Sequence, residues 1–127
     1  MTNATIMVVD DHPATLAALV ALLEAEFPAC KLLAVEGAEQ ALSLFAGAEP
    51  HVVIMDIALP GMSGFEATRR IKATWPDTRV VMHSSYDMRV YRDGAAAAGA
   101  SAFVRKGKVV TELVPVVASL LAAVPRI

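Results

Sequence analysis

The chain has 127 residues, 56% of them hydrophobic and 19% charged, with a net charge of -2. That length suits one domain, residues 1–127, with a single core burying about two-thirds of its surface. Charges of both signs are scattered without a basic run, which argues against direct nucleic acid contact; a single cysteine, Cys30, excludes an internal disulfide or a cysteine zinc cluster; and no apolar run reaches the roughly 18 residues of a membrane span.

In chain order, Ala4 to Val9, apolar without a break from Ile6 on, is read as a strand buried on both faces and ending at Asp10-Asp11. Pro13 suits the first turn of a helix that runs to about Phe27, where Pro28 stops it. Leu16, Leu19, Val20, Leu23 and Phe27 form its apolar stripe. Lys31 to Val35 is a second strand, and Ala38 to Ala46 a short helix closed by Gly47. His51 to Met55 is a third strand that stops at Asp56, before a turn forced by Pro60-Gly61. Ser63 or Gly64 opens a helix to about Trp75. Arg79 to His83 is a fourth strand. Met88 to Ala98 is a helix weakened by Gly94, which costs roughly 1 kcal/mol against Ala. Ser101 to Val104 is a fifth strand, ending at Arg105-Lys106, and Thr111 is a candidate cap for a last helix to about Ala123. Five strands alternating with five helices give an α/β fold, a parallel sheet covered on both faces through right-handed crossovers.

In such a sheet the strand ends share one edge, where ligands bind. Asp10, Asp11, Asp56, Lys106 and Ser84-Ser85 all fall there. Crowded carboxylates repel and need neutralising. A hard divalent cation does so with oxygen ligands, and Mg²⁺ typically takes one or two carboxylates, a carbonyl and waters. With a lysine and a hydroxyl beside it, such a site suits a phosphoryl group, and an aspartate can be the nucleophile that accepts it. Singly, each residue has an ordinary reading. Asp10-Asp11 could cap a helix, Lys106 could be a solvated surface lysine, and Ser84 an ordinary strand-end hydroxyl. Phe103 could be core. His12 reads as a loop residue near the site, and His51 and His83 as structural, since the three histidines lack metal-ligand spacing.

From end to end the chain resembles a response-regulator receiver domain. The motifs are VVDDHP at Val8 to Pro13, VVIMDIALPGMSG at Val52 to Gly64, MHSS at Met82 to Ser85 and SAFVRKG at Ser101 to Gly107. The resemblance implies a flavodoxin-like three-layer sandwich with strand order 2-1-3-4-5. It implies that Asp56 is the phosphoacceptor, and that Asp10 and Asp11, Asp11 most directly, hold Mg²⁺ with the Asp56 carboxylate and the backbone carbonyl of Ala58. Ser84 would hydrogen-bond the phosphoryl group, Lys106 would pair with it, and Phe103 would turn inward on phosphorylation. The implied donor is a sensor histidine kinase. The chain would be an acceptor of phosphotransfer rather than an enzyme, able at most to lose its own phosphoryl group.

Several residues depart from the commonest receiver pattern. Gly107 stands where many receivers have proline, Ser84 where threonine is usual, and Ser85 where alanine is frequent. Ala58 and Tyr86 occupy the positions that influence self-dephosphorylation in the family. The DDHP and PGMSG wording is similar to the subfamily bearing a helix-turn-helix output domain, so the expected output is transcription. The alternative is a stand-alone receiver acting as a phosphoryl shuttle or protein-binding switch. An aspartate-nucleophile phosphatase would carry nucleophile and acid two residues apart on the first strand, and a flavin module would need a hydroxyl- and glycine-rich phosphate loop; this chain has neither. No signal peptide precedes the first strand, so the expected location is the cytoplasm. A final expectation concerns partners. Val109 to Val124 carries one charge, Glu112, and the first helix has Ala17, Ala18, Ala21, Leu22 and Ala25 opposite its core stripe. The first and last helices are therefore expected to expose an apolar face, for a homodimer or an output domain.

Overall fold

The computed structural model describes residues 4–86 and 88–124. A five-stranded parallel sheet runs in the order β2-β1-β3-β4-β5, comprising β1 (Thr5–Val9), β2 (Lys31–Val35), β3 (Val52–Asp56), β4 (Arg79–Ser84) and β5 (Ala102–Arg105). Helices α1 (Pro13–Glu26), α2 (Ala38–Ala48), α3 (Gly64–Thr74), α4 (Arg89–Ala98) and α5 (Val114–Ala122) form the two outer layers.

Side-chain alternation along the central strands builds two cores. Ile6, Val8, Val52, Ile54 and Val81 face Leu16, Leu19 and Leu23 of α1 and Val117 and Leu121 of α5. Met7, Val9, Val53, Met55, Val80 and Met82 face α2, α3 and α4. Every residue of β3 is buried, which is why its sequence shows no polar alternation. Because the strands are parallel, with Asp56 opposite His83 in register, the ends of β1, β3, β4 and β5 converge on one edge.

The helix boundaries carry two corrections. Gly47 does not close α2; the helix runs on to Ala48, and Glu49 takes the left-handed conformation at φ 43°. Thr111 is not a cap. A tight turn at Lys106–Lys108 leads into a π-helical turn at Val109–Leu113 that feeds straight into α5, so no free helix end is left there to cap. Gly94, inside α4 as expected, also has a packing role. A Cβ there would lie 2.9 Å from the Phe65 ring, so glycine lets α4 pack closely on α3.

The apolar surplus of α1 and α5 is mostly consumed inside. Val117 is fully buried, and Leu113 and Leu121 join it in the core. The outward side of α5 is Pro115, Ala118, Ser119 and Ala122, and that of α1 includes Ala17, Ala18, Ala21 and Ala25. The face is thus made largely of small side chains, mostly alanine, with Leu22 only partly exposed. Among the described residues the large exposed apolar side chains are Leu44, Tyr86, Met88, Val90 and Val110, of which Val110 lines an apolar cavity with Ala18 and Leu22 beside this face. No described helix is long and apolar enough to cross a membrane.

Candidate functional site

Asp10 follows β1, its backbone N–H still bonded to the Val35 carbonyl at 3.1 Å. Asp56 is the last residue of β3. Asp10 is 0% exposed and Asp56 2%, although both are carboxylates. Lys106, just past β5, joins them: its Nζ lies 3.1 Å from Asp56 Oδ2 and 3.1 Å from Asp10 Oδ2. One ammonium thus serves two buried acids, so the cluster carries a net negative charge even before Asp11 is added.

The loop after Asp56 is held by backbone bonds. The Ile57 carbonyl accepts from Leu59 and from Gly64, and the Ala58 N–H donates to Asp56 Oδ1 at 3.4 Å. Gly64 is there for space rather than for an unusual backbone angle. A Cβ on it would overlap the Asp56 carbonyl oxygen and sit 2.9 Å from Ile57 Cα. Ser63 caps α3 by accepting from the Glu66 N–H at 3.2 Å, which fixes the helix start against the strand end.

Above the cluster lies an open cavity of about 520 Å³, lined among others by Asp11, His12, Asp56, Ala58, Ser84 and Lys106. Ser84 is 3% exposed, and its Oγ accepts from the Tyr86 N–H at 3.0 Å. That leaves the hydroxyl hydrogen available to a ligand. Phe103 does not line this cavity. It is half-buried on the other side of β5, with the Arg92 guanidinium 4.7 Å from its ring centroid.

The electrostatics follow from burial. Desolvation pushes the Asp56 carboxyl above the ordinary range; Lys106 opposes this, and the neighbouring Asp10 charge adds to it. Burial pushes Asp10 up as well, but the His12 backbone N–H and Lys106 outweigh it and hold Asp10 below the ordinary value. Burial likewise disfavours the Lys106 ammonium, yet the two aspartates raise its pKa overall. Asp10 Oδ2 and Asp11 Oδ1 are buried, the first facing the Lys106 ammonium at 3.1 Å and the second the His12 ring at 3.3 Å. Ligand atoms from Asp10, Asp11, His12 and Asp56 all lie within 4.8 Å of one another. Three carboxylates converging at this range, with one ammonium among them, leave an excess of negative charge that fits a divalent cation.

Two histidines are more involved than their spacing suggested. The His12 backbone N–H donates to Asp10 Oδ1 at 2.8 Å, and its Nδ1 lies 3.1 Å from that oxygen and 3.3 Å from Asp11 Oδ1. His83 is 1% exposed, and neither ring nitrogen has a hydrogen-bond partner. Burial, reinforced by the Lys106 charge, lowers its pKa to about 4. The only sequence signal was position, one residue past Asp11 and one before Ser84. His51, by contrast, is structural as read: its Nδ1 accepts from the Thr5 N–H at 3.0 Å.

Comparison with known proteins bears on this geometry. The family model described as the response regulator receiver domain matches residues 6–118. The transcriptional regulatory protein MctR of Rhizobium johnstonii is 33% identical over 110 residues, covering 86% of this chain and 51% of that protein. Among solved structures, a LuxR-family two-component response regulator from Aurantimonas sp. superimposes with a TM-score of 0.88 at 32% identity, over 99% of this chain and 90% of that one. The response regulator TrrA of Thermotoga maritima, solved in complex with Mg²⁺-BeF, gives a TM-score of 0.82 at 30% identity, over 92% of this chain and 98% of that one. The chain spans about half the length of the curated relatives it matches.

Proposed function

The chain belongs to the response regulator receiver domain family, and on that premise we propose that Asp56 accepts a phosphoryl group from a sensor histidine kinase and that the chain then changes conformation to control an output, transcription. The observation that carries this reading is the placement of Asp56. It is a buried strand-end carboxylate with one lysine at 3.1 Å, opening onto a cavity that a phosphoryl group can enter.

In the transfer an Asp56 oxygen attacks phosphorus, a P–O bond forms, and the P–N bond to the kinase imidazole breaks, with the leaving nitrogen taking up a proton from solvent. The product is an acyl phosphate. Lys106 then faces a phosphoryl oxygen in place of Asp56 Oδ2, which keeps its charge matched. The free Ser84 hydroxyl hydrogen donates to a second oxygen. Asp10, Asp11, Asp56 and the Ala58 carbonyl would hold Mg²⁺, which neutralises the carboxylates and the developing phosphoryl charge when bound. Tyr86 is 58% exposed at the rim, and Ala58, having only a methyl group, cannot orient an attacking water.

For the output, we propose that recruitment of Ser84 toward the phosphoryl group shifts α4, and that Phe103 turns inward as its contact with Arg92 loosens. The alanine-rich face of α1 and α5 is read as the seat of a second copy or of an output domain. Because Val117 is buried, Leu22→Glu with Ala118→Glu is the pair that tests this face, by sedimentation.

Beryllofluoride with Mg²⁺ tests the switch directly. Backbone amide spectra of the wild-type protein should shift at Ser84, Phe103 and α4, and those of Asp56→Asn should not. Identical spectra with and without beryllofluoride would contradict the reading.

A further inference from the structure

We propose that His12 is a nitrogen ligand of the metal site and biases that site toward borderline first-row cations such as Co²⁺ and Ni²⁺ over Mg²⁺. The inference rests on the reading of the acidic pocket as a metal site and adds to it a determinant of which metal is held.

The His12 Nδ1 touches both carboxylates at the end of β1, 3.1 Å from Asp10 Oδ1 and 3.3 Å from Asp11 Oδ1. With Asp56, the potential ligand atoms fall within 4.8 Å of one another. Donors on opposite sides of one small cation, each about 2.1 Å away, stand about 4.2 Å apart. The widest pair therefore has to close by at most about 0.6 Å for the four donors to share one ion. The His12 side chain is 62% exposed, so its ring can adjust without disturbing either core, while its backbone N–H is anchored to Asp10 Oδ1 at 2.8 Å.

The chemistry decides the direction of the bias. Without metal, an Nδ1–H can donate to the two carboxylates. Ligation uses the Nδ1 lone pair of the neutral ring, with its hydrogen on Nε2. Mg²⁺ is hard, prefers oxygen and keeps its waters, so an imidazole offers it little. Borderline Co²⁺ and Ni²⁺ gain from imidazole, Ni²⁺ more than Co²⁺, whereas Mn²⁺ prefers oxygen as Mg²⁺ does and serves here as the paramagnetic probe. A receptor of carboxylates alone would discriminate among these ions less.

The test uses the full chain, without a tag, as wild type, His12→Phe and Asp11→Asn. Pulsed paramagnetic resonance of bound Mn²⁺ should show coupling to a directly bound imidazole nitrogen in the wild type and none in His12→Phe. In calorimetric titrations, His12→Phe should weaken Co²⁺ and Ni²⁺ about tenfold, the scale of one lost contribution to a metal site, and leave Mg²⁺ within about twofold. Wild-type Mn²⁺ without nitrogen coupling, or an unchanged Co²⁺ to Mg²⁺ ratio in His12→Phe, would overturn the His12 assignment while leaving the metal site standing. Equal binding of Mg²⁺ by wild type and Asp11→Asn, or none by either, would overturn the metal-site reading and this assignment with it.

Discussion

Gly64 and the Asp56 carbonyl are packed so closely that a single added carbon at Gly64 would overlap the oxygen. The first residue of α3 therefore sets where β3 ends, and with it where the Asp56 carboxylate points. Both neighbours are backbone, so no rotamer change relieves the clash. Gly64→Ala should cost about 1–3 kcal/mol, the range for overpacking a tight site, and should slow phosphorylation by acetyl phosphate. Denaturant midpoints and the initial rate of adduct formation check both parts.

Among the described residues, Lys106 is the one lysine or arginine in contact with two buried acids. Lys106→Met leaves Asp10 and Asp56 facing each other without compensation. The metal-free variant should lose on the order of 2–4 kcal/mol at neutral pH, as when one partner of a buried ion pair is removed. The loss should shrink in mild acid, where one carboxyl takes up a proton. Mg²⁺ should raise the melting temperature of the variant more than that of the wild type. Equal stabilisation of the two would show that Lys106 and the cation do not compensate the same charge.

His83 predicts a pH dependence. Its folded value is lowered from 6.5 to about 4, so the native ring stays neutral while the unfolded chain takes up a proton below about pH 6.5. Stability from this group is complete above that pH and is lost as pH falls toward 4. One proton over that window corresponds to about 3 kcal/mol. His83→Leu should remove this part of the acid slope, which chemical denaturation of the two proteins at pH 7 and pH 5 measures by difference.

Much of the fold was legible because its signals are local. β1, from Ile6 on, and β3, up to Met55, are unbroken apolar runs that become strands buried on both faces, and Pro13 and Ser63 mark helix starts where expected. The gathering of Asp10, Asp56, Ser84 and Lys106 followed from strand direction alone. What stayed hidden depends on through-space packing. Nothing near Gly64 in sequence announces the Asp56 carbonyl, and nothing near Gly94 announces Phe65. The apolar run of the last helix looked like surplus surface because Val117 and Leu121 find the sheet only in three dimensions. His12 and His83 lacked metal-ligand spacing, yet folding brought one onto the carboxylates and buried the other one strand away.

Phe103 gives a prediction for the switch. Its contact with Arg92 is on the order of 0.5–1 kcal/mol, small enough to be exchanged for a new packing site. With beryllofluoride and Mg²⁺, hydrogen exchange in α4 should change while β1 and β3 stay protected. Phe103→Ala should bind beryllofluoride and lose that change. Equal α4 protection in both states would contradict the coupling.

The central claim is that Asp56 is the residue that becomes phosphorylated. Incubation with acetyl phosphate and Mg²⁺, followed by borohydride trapping and mass spectrometry of peptides, tests it most directly. The account predicts a single modified residue, Asp56, and no adduct in Asp56→Asn. An adduct on Asp10 or Asp11, or an undiminished adduct in Asp56→Asn, would contradict it.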